Sequence, residues 1–150
     1  MGLIDNENFK RILKQSLIEQ EEEETKSDTN GGFKKLVEKL LHSRTQAHIF
    51  HLQTKSYSEH IALDGYYNGI LPLFDGLVES HQGKHGIITN YECDGFEDYS
   101  SGEQVINYLQ TLAEDIEKLR EPVKESYIQN QIDTVEELIY STLYKLRFLK

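Results

Sequence analysis

The chain is poor in cysteine, proline, positive charge and long apolar runs, and each shortage removes a class of answers. A single cysteine, Cys93, allows no internal disulfide and no thiol zinc cluster. Only two prolines, Pro72 and Pro122, interrupt 150 residues, which leaves room for long helices. Against 26 acidic residues stand 16 Lys and Arg, for a net charge of −10. Such a surface repels phosphate backbones, so nucleic acid is not an expected partner. No stretch approaches the ~18 apolar residues of a membrane span, and the start Met1-Gly-Leu-Ile-Asp lacks the basic and apolar regions of a signal peptide. A cytoplasmic, non-secreted protein is expected. A phosphate-binding Gly-x-x-x-x-Gly-Lys loop, a Gly-x-Ser-x-Gly elbow and a His-Glu-x-x-His pair are also missing. Asp94-Gly-Phe-Glu-Asp lacks calcium-loop spacing.

What is present is helical periodicity. Residues 1–32 form an acidic N-terminal extension: an amphipathic stretch over 3–20 carries Ile4, Phe9, Ile12, Leu13 and Leu17, then Glu21–Glu24 and a polar run end at Gly31-Gly32. The like-charge block reads as a linker, and the segment before it as either a loose tail or a helix that docks on a protein partner. Four helical patterns follow, over about 33–53, about 57–81, from Ser100 onward, and from Pro122 onward. Ser100 and Glu103 have capping-box spacing, and Pro122 suits a first helical turn. The fold class is all-α, with a bundle over 33–150. Short connections make helices 1 and 2, and helices 3 and 4, antiparallel neighbours. The 82–100 segment is long enough to cross the full length of a bundle, the topology of ferritin-like folds.

All six histidines fall between positions 42 and 85. A di-metal centre inside one bundle draws a Glu-x-x-His pair from each of two helices, and helices 3 and 4 have no histidine. Any metal site must therefore use helices 1 and 2, with a second subunit completing it. On helix 2, Asp64, Asp75 and Glu79 lie about 40°, 60° and 100° around from His60, forming one stripe. Two antiparallel copies of this helix would bring His60 and Asp64 of one to Asp75 and Glu79 of the other. Gly65, Gly69 and Gly76 beside the stripe are candidates for close approach at that interface. His51 sits within the apolar stripe of helix 1, as a ligand or a core residue, with His48 one turn before it. His81 and His85, around Gly83, are either solvated loop residues or further ligands.

His51-Leu-Gln-Thr-Lys, then His60-x-x-x-Asp64 and Asp75-x-x-x-Glu79, resembles the signature of Dps-type mini-ferritins. The resemblance covers about residues 33–148. The run Gln53-Thr-Lys-Ser-Tyr-Ser-Glu-His and Glu79-Ser-His-Gln-Gly-Lys-His-Gly is similar to Dps-like proteins of tailed phages. It implies a ferritin-like bundle, homo-oligomers formed through helix 2, and iron held as a di-iron site between subunits. The implied metal ligands are His51 (or His48), His60, Asp64, Asp75 and Glu79, with ferroxidase-type oxidation of Fe(II). The four glutamates, where DNA-binding members carry a basic tail, imply a member that leaves DNA alone. The alternative is a non-enzymatic structural or adaptor protein of a phage virion, its N-terminal segment docked on a neighbour.

Overall fold

A computed structural model describes residues 6–149, the side chains of 22–30 excepted. Four helices make up the regular structure of the described residues: α1 (Asn6–Gln53), α2 (Tyr57–His85), α3 (Gly102–Arg120) and α4 (Ser126–Phe148). The all-α expectation holds, and none of the four is long and apolar enough to cross a membrane. α1 packs on α2 and α3, and α4 packs on the same two, around one core that includes Leu36, Tyr66, Leu109 and Ile132.

Cross-helix contacts fix the directions. Ser43 meets Tyr66 and Phe33 meets His81, so α1 and α2 are antiparallel. Gly69 lies against Leu138, while Gly65 and Gly76 lie nearest Lys145 and Gln131, so α2 and α4 are antiparallel as well. Arg120 pairs with Asp133 and Arg147 bonds Gln110, which makes α3 and α4 antiparallel. Hence α2 and α3 point the same way, and residues 86–101 must return from one end of the molecule to the other.

That return strand is pinned to α1 by a ladder of side chains. The Glu92 amide donates to Glu38, the His42 ring bonds the Gly95 carbonyl, and Gln53 accepts from the Tyr99 amide. Between them, fully buried Gln46 takes both main-chain groups of Glu97: its Oε1 accepts from the amide and its Nε2 donates to the carbonyl, each at 2.8 Å. From Glu38 to Gln53 the helix rises about 22 Å, and from Glu92 to Tyr99 an extended chain spans about 23 Å, so the two are matched in length. Gln46→Ala leaves both groups of Glu97 without their partner, at about 1–3 kcal/mol for each group that stays dry. We expect a loss of about 2 kcal/mol in urea unfolding and faster amide exchange over 92–99; unchanged exchange there would refute the pinning role.

Several expected boundaries move. α1 begins at Asn6, so the break expected at 21–32 is continuous helix. Glutamate, glutamine and lysine are good helix formers, and here that propensity prevails over the linker-like composition. Side chains 6–21 are exposed, and tight packing begins at Phe33. α2 continues past His81 to His85 and runs through Pro72 without interruption. The α3 cap is Ser101, not Ser100: its hydroxyl accepts from the Gln104 amide, while the Gln104 side chain accepts from the Ser100 amide. α4 begins at Ser126, so Pro122 lies in the preceding turn and not in its first turn. Burial of Val123 and capture of Glu125 by α2 occupy the residues between.

Candidate functional site

The turn joining α1 to α2 is built by its own polar side chains. Ser56 caps α2 by accepting from the Glu59 amide, and Glu59 in turn accepts from the Thr54 hydroxyl and from Tyr99. The same carboxylate lies against Gly102, in the first turn of α3, where the positive end of a helix favours an anion. This closure brings the last turn of α1 beside the first turn of α2, and with it His51 beside His60.

The two imidazoles stack with centroids 3.7 Å apart and planes 22° from parallel. Each Nδ1 bonds the other residue's main-chain carbonyl, His51 to His60 at 2.9 Å and His60 to His51 at 3.0 Å. A carbonyl only accepts, so both Nδ1 atoms donate, and in the neutral rings both Nε2 atoms carry the lone pair. A main-chain carbonyl on one ring nitrogen is how metal-binding histidines are commonly oriented through the other. His51 is buried and His60 half-buried.

Around the pair lies an aromatic and carboxylate collar. His48 stacks on Tyr67 at 4.2 Å and meets His51 edge-on at 5.7 Å. Tyr67 donates its hydroxyl to Asp64 at 2.7 Å, and Asn68 donates to the same oxygen at 3.2 Å. The bond to Asp64 pushes the Tyr67 hydroxyl above its usual pKa, with burial adding to the effect. Tyr67 was not among the expected site residues, because its position in the helical pattern reads as apolar. Its spacing of three from Asp64 is the signal that marks it.

Of the expected ligands, the structure therefore gathers His48, His51, His60 and Asp64 at one end. Asp75 and Glu79 are exposed farther along α2. The midpoints of the two pairs are about 22 Å apart along the helix. Among the described residues, no three His, Cys, Asp or Glu side chains of a single chain converge as a metal-binding group. The glycines expected at a subunit interface have neighbours within the chain: a Cβ at Gly69 would come within 3.3 Å of Leu138, while those at Gly76 and Gly65 would lie 3.9 and 4.0 Å from Gln131 and Lys145. Close approach at Gly69 thus serves the α2–α4 contact.

The other end of α2 corrects the loop reading of His81 and His85. Both lie in the last turns of the helix, and His81 is 3% exposed. Its ring lies flat on Phe33, with centroids 3.6 Å apart and planes within 4°. Its Nδ1 is buried without a hydrogen-bond partner. Burial, with His85 at 4.6 Å, lowers its pKa to about 4. Glu125 accepts from Lys84 at 2.7 Å and bonds His85 at 3.0 Å; chiefly the Lys84 bond holds its carboxyl down at about 2. These contacts tie the start of α4 to the end of α2.

A cleft of about 400 Å³ between α1, the return strand and α3 is lined by His42, Cys93 and Tyr108, among others, with the Lys39–Asp115 ion pair at 2.7 Å in its wall. The His42 ring bonds the Tyr108 hydroxyl through one nitrogen and Gly95 through the other, so its polar atoms are committed to structure.

Fold and site together define an all-helical protein with a histidine cluster clamped between its first two helices. Residues 51–146 match a family of unknown function, DUF5856, and the chain belongs to that family. The match starts at His51 and spans α2, α3 and most of α4; residues 6–50 of α1 precede it. No curated protein and no solved structure matches the chain.

Proposed function

We propose that the chain is a ferritin-like, Dps-like homo-oligomer that binds Fe(II) between subunits and passes its electrons to peroxide or oxygen. The observation that carries this reading is the reciprocal His51–His60 clamp, which orients two imidazoles through Nδ1 and leaves Nε2 as the available donor. Asp64 stands one helical turn from His60, already oriented by Tyr67 and Asn68. Imidazole plus carboxylate suits iron. The partner subunit's Asp75 and Glu79 would complete the set, because the chain's own pair is too far along α2. The two antiparallel helix pairs joined by a full-length return strand support the ferritin-like assignment. In this arrangement the protein's part is to hold Fe(II) and its oxidant together, while the iron supplies the electrons.

The test is Fe(II) titration under argon, followed by peroxide, with Fe(III) absorbance read over time. His60→Ala/Asp64→Ala should slow oxidation at least about tenfold, the usual cost of losing ligand geometry at a metal site, with an unchanged helical circular dichroism spectrum. A variant that oxidises iron as fast as the parent would sink the proposal.

One observation favours a second reading, a structural or adaptor protein without redox chemistry. Phe9, Ile12, Leu13 and Leu17 are about half exposed on the part of α1 that precedes the packed core. A metal-free native assembly that depends on these residues would favour it.

A further inference from the structure

We propose that the N-terminal arm of α1 docks, in parallel, on the outer face of α4 of a second copy of this chain. This goes beyond the iron reading and does not rest on it.

The first observation is a pair of matching stripes. On the arm, Phe9, Leu13 and Leu17 recur every fourth residue and are 51%, 48% and 59% exposed. On α4, Tyr140, Tyr144 and Phe148 recur with the same spacing and are 48%, 55% and 69% exposed, with the Tyr144 and Phe148 rings 5.6 Å apart. Residues four apart on a helix lie on one face, so each set is a ridge two turns long.

Charge chooses the direction. Along the arm the order is basic then acidic: Lys10, Arg11 and Lys14, then Glu19 and Glu21. Along α4 the order is acidic then basic: Asp133, Glu136 and Glu137, then Lys145 and Arg147. Parallel docking sets opposite charges together at both ends; antiparallel docking would set Lys10 and Lys14 against Lys145 and Arg147. Glu136 has Asp133 and Glu117 as charged neighbours, so a cation arriving from a partner meets excess negative charge. The Lys10–Glu7 pair on the arm is exposed on both sides, and re-pairing it costs little.

Reach chooses the second copy. Lys145 lies nearest Gly65, whose neighbour Tyr66 bonds Ser43, so Tyr144 stands near the level of Ser43. Leu13 is thirty residues earlier on the same unbroken helix, about 45 Å away along the axis. The arm therefore cannot touch the stripe of its own chain. The packed bundle is about as tall as the 29-residue α2, roughly 43 Å. A second copy in the same orientation, shifted by about 45 Å along the axis, presents its Tyr140–Phe148 stripe at the level of the arm and clears the end of the first bundle. α1 and α4 point the same way, so this shift alone gives the parallel docking that the charges require.

Each copy then offers an arm at one end and a stripe at the other, a head-to-tail contact that continues into rings or filaments. Sedimentation and light scattering on the full-length chain test it with Leu13→Glu/Leu17→Glu and, separately, Tyr144→Glu. All three positions are exposed, and helical content checks the fold. Each variant should lose at least half of the parent's particle mass. An equimolar mixture should recover a larger species than either alone, because the Tyr144→Glu copy keeps its arm and the Leu13→Glu/Leu17→Glu copy keeps its stripe. A parent no larger than the variants, an effect of the arm variant only, or no recovery on mixing would each overturn the proposal. An effect confined to the arm variant would point to arm–arm pairing. Loss of iron oxidation with assembly intact would instead bear on the iron reading.

Discussion

Acidifying the protein from pH 7 to pH 4 should cost about 3 kcal/mol of folding stability through His81 alone. In the unfolded chain this imidazole takes up a proton near its ordinary pKa of 6.5; in the fold, burial beside Phe33 and the nearby His85 hold it at about 4. The depressed value means that the unfolded state binds more protons as the pH falls from 6.5 to 4. Stability is therefore complete above about 6.5 and drains away toward 4. A gap of about 2.5 pH units at 1.36 kcal/mol each sets the size of the loss. His81→Phe removes the titrating group, retains a flat ring for Phe33, and eliminates a buried nitrogen that lacks a partner. Urea unfolding at pH 7 and pH 4 should show a steep loss in the parent and a much flatter response in the variant. Equal acid sensitivity in the two would remove His81 from the account. Glu125 acts in a lower window: its carboxyl is held at about 2, so its contribution is lost only as the pH falls from about 4.5 toward 2.

Phe50→Ala should cost about 3–5 kcal/mol, the usual range for deleting a large aromatic ring from a core. Phe50 is fully buried and meets Tyr99 of the return strand at 6.4 Å and Tyr108 of α3 at 5.9 Å, both edge-on. Three segments therefore share one ring, and alanine leaves a void that none of them can fill without moving. A lower urea midpoint with an unchanged slope is the expected result. Phe96 is the control: it is 48% exposed and stacks on His42 from outside. Phe96→Ala should cost no more than about 1 kcal/mol, the scale of one exposed aromatic pair. Similar losses for the two variants would show that burial does not set the difference.

The two histidine pairs show how context divides identical side chains. His51 and His60 bond each other's main chain and keep one nitrogen each as a donor, whereas His81 is sealed against a phenylalanine and held neutral. Spacing along α2 places His60 and His81 without distinguishing their environments. The difference comes from what α1 sets beside them: His51 and its carbonyl at one end, Phe33 at the other.

The sequence by itself determined the helical class, the four helical patterns, the short connections that make antiparallel pairs, and the length of the return strand. These follow from periodicity and chain geometry, which are local. His60 and Asp64 were legible as neighbours because one helical turn separates them. Only the tertiary structure decided that His51 locks onto His60, that Tyr67 holds Asp64, that Gln46 binds the return strand, and that Gly69 admits Leu138 of α4. Each is a contact between residues whose neighbours are chosen by packing, or a polar side chain whose pattern reads as apolar. The arm is the opposite case. Its composition resembles a linker, yet it continues the first helix, because helix-forming residues extend a helix already nucleated by a packed one.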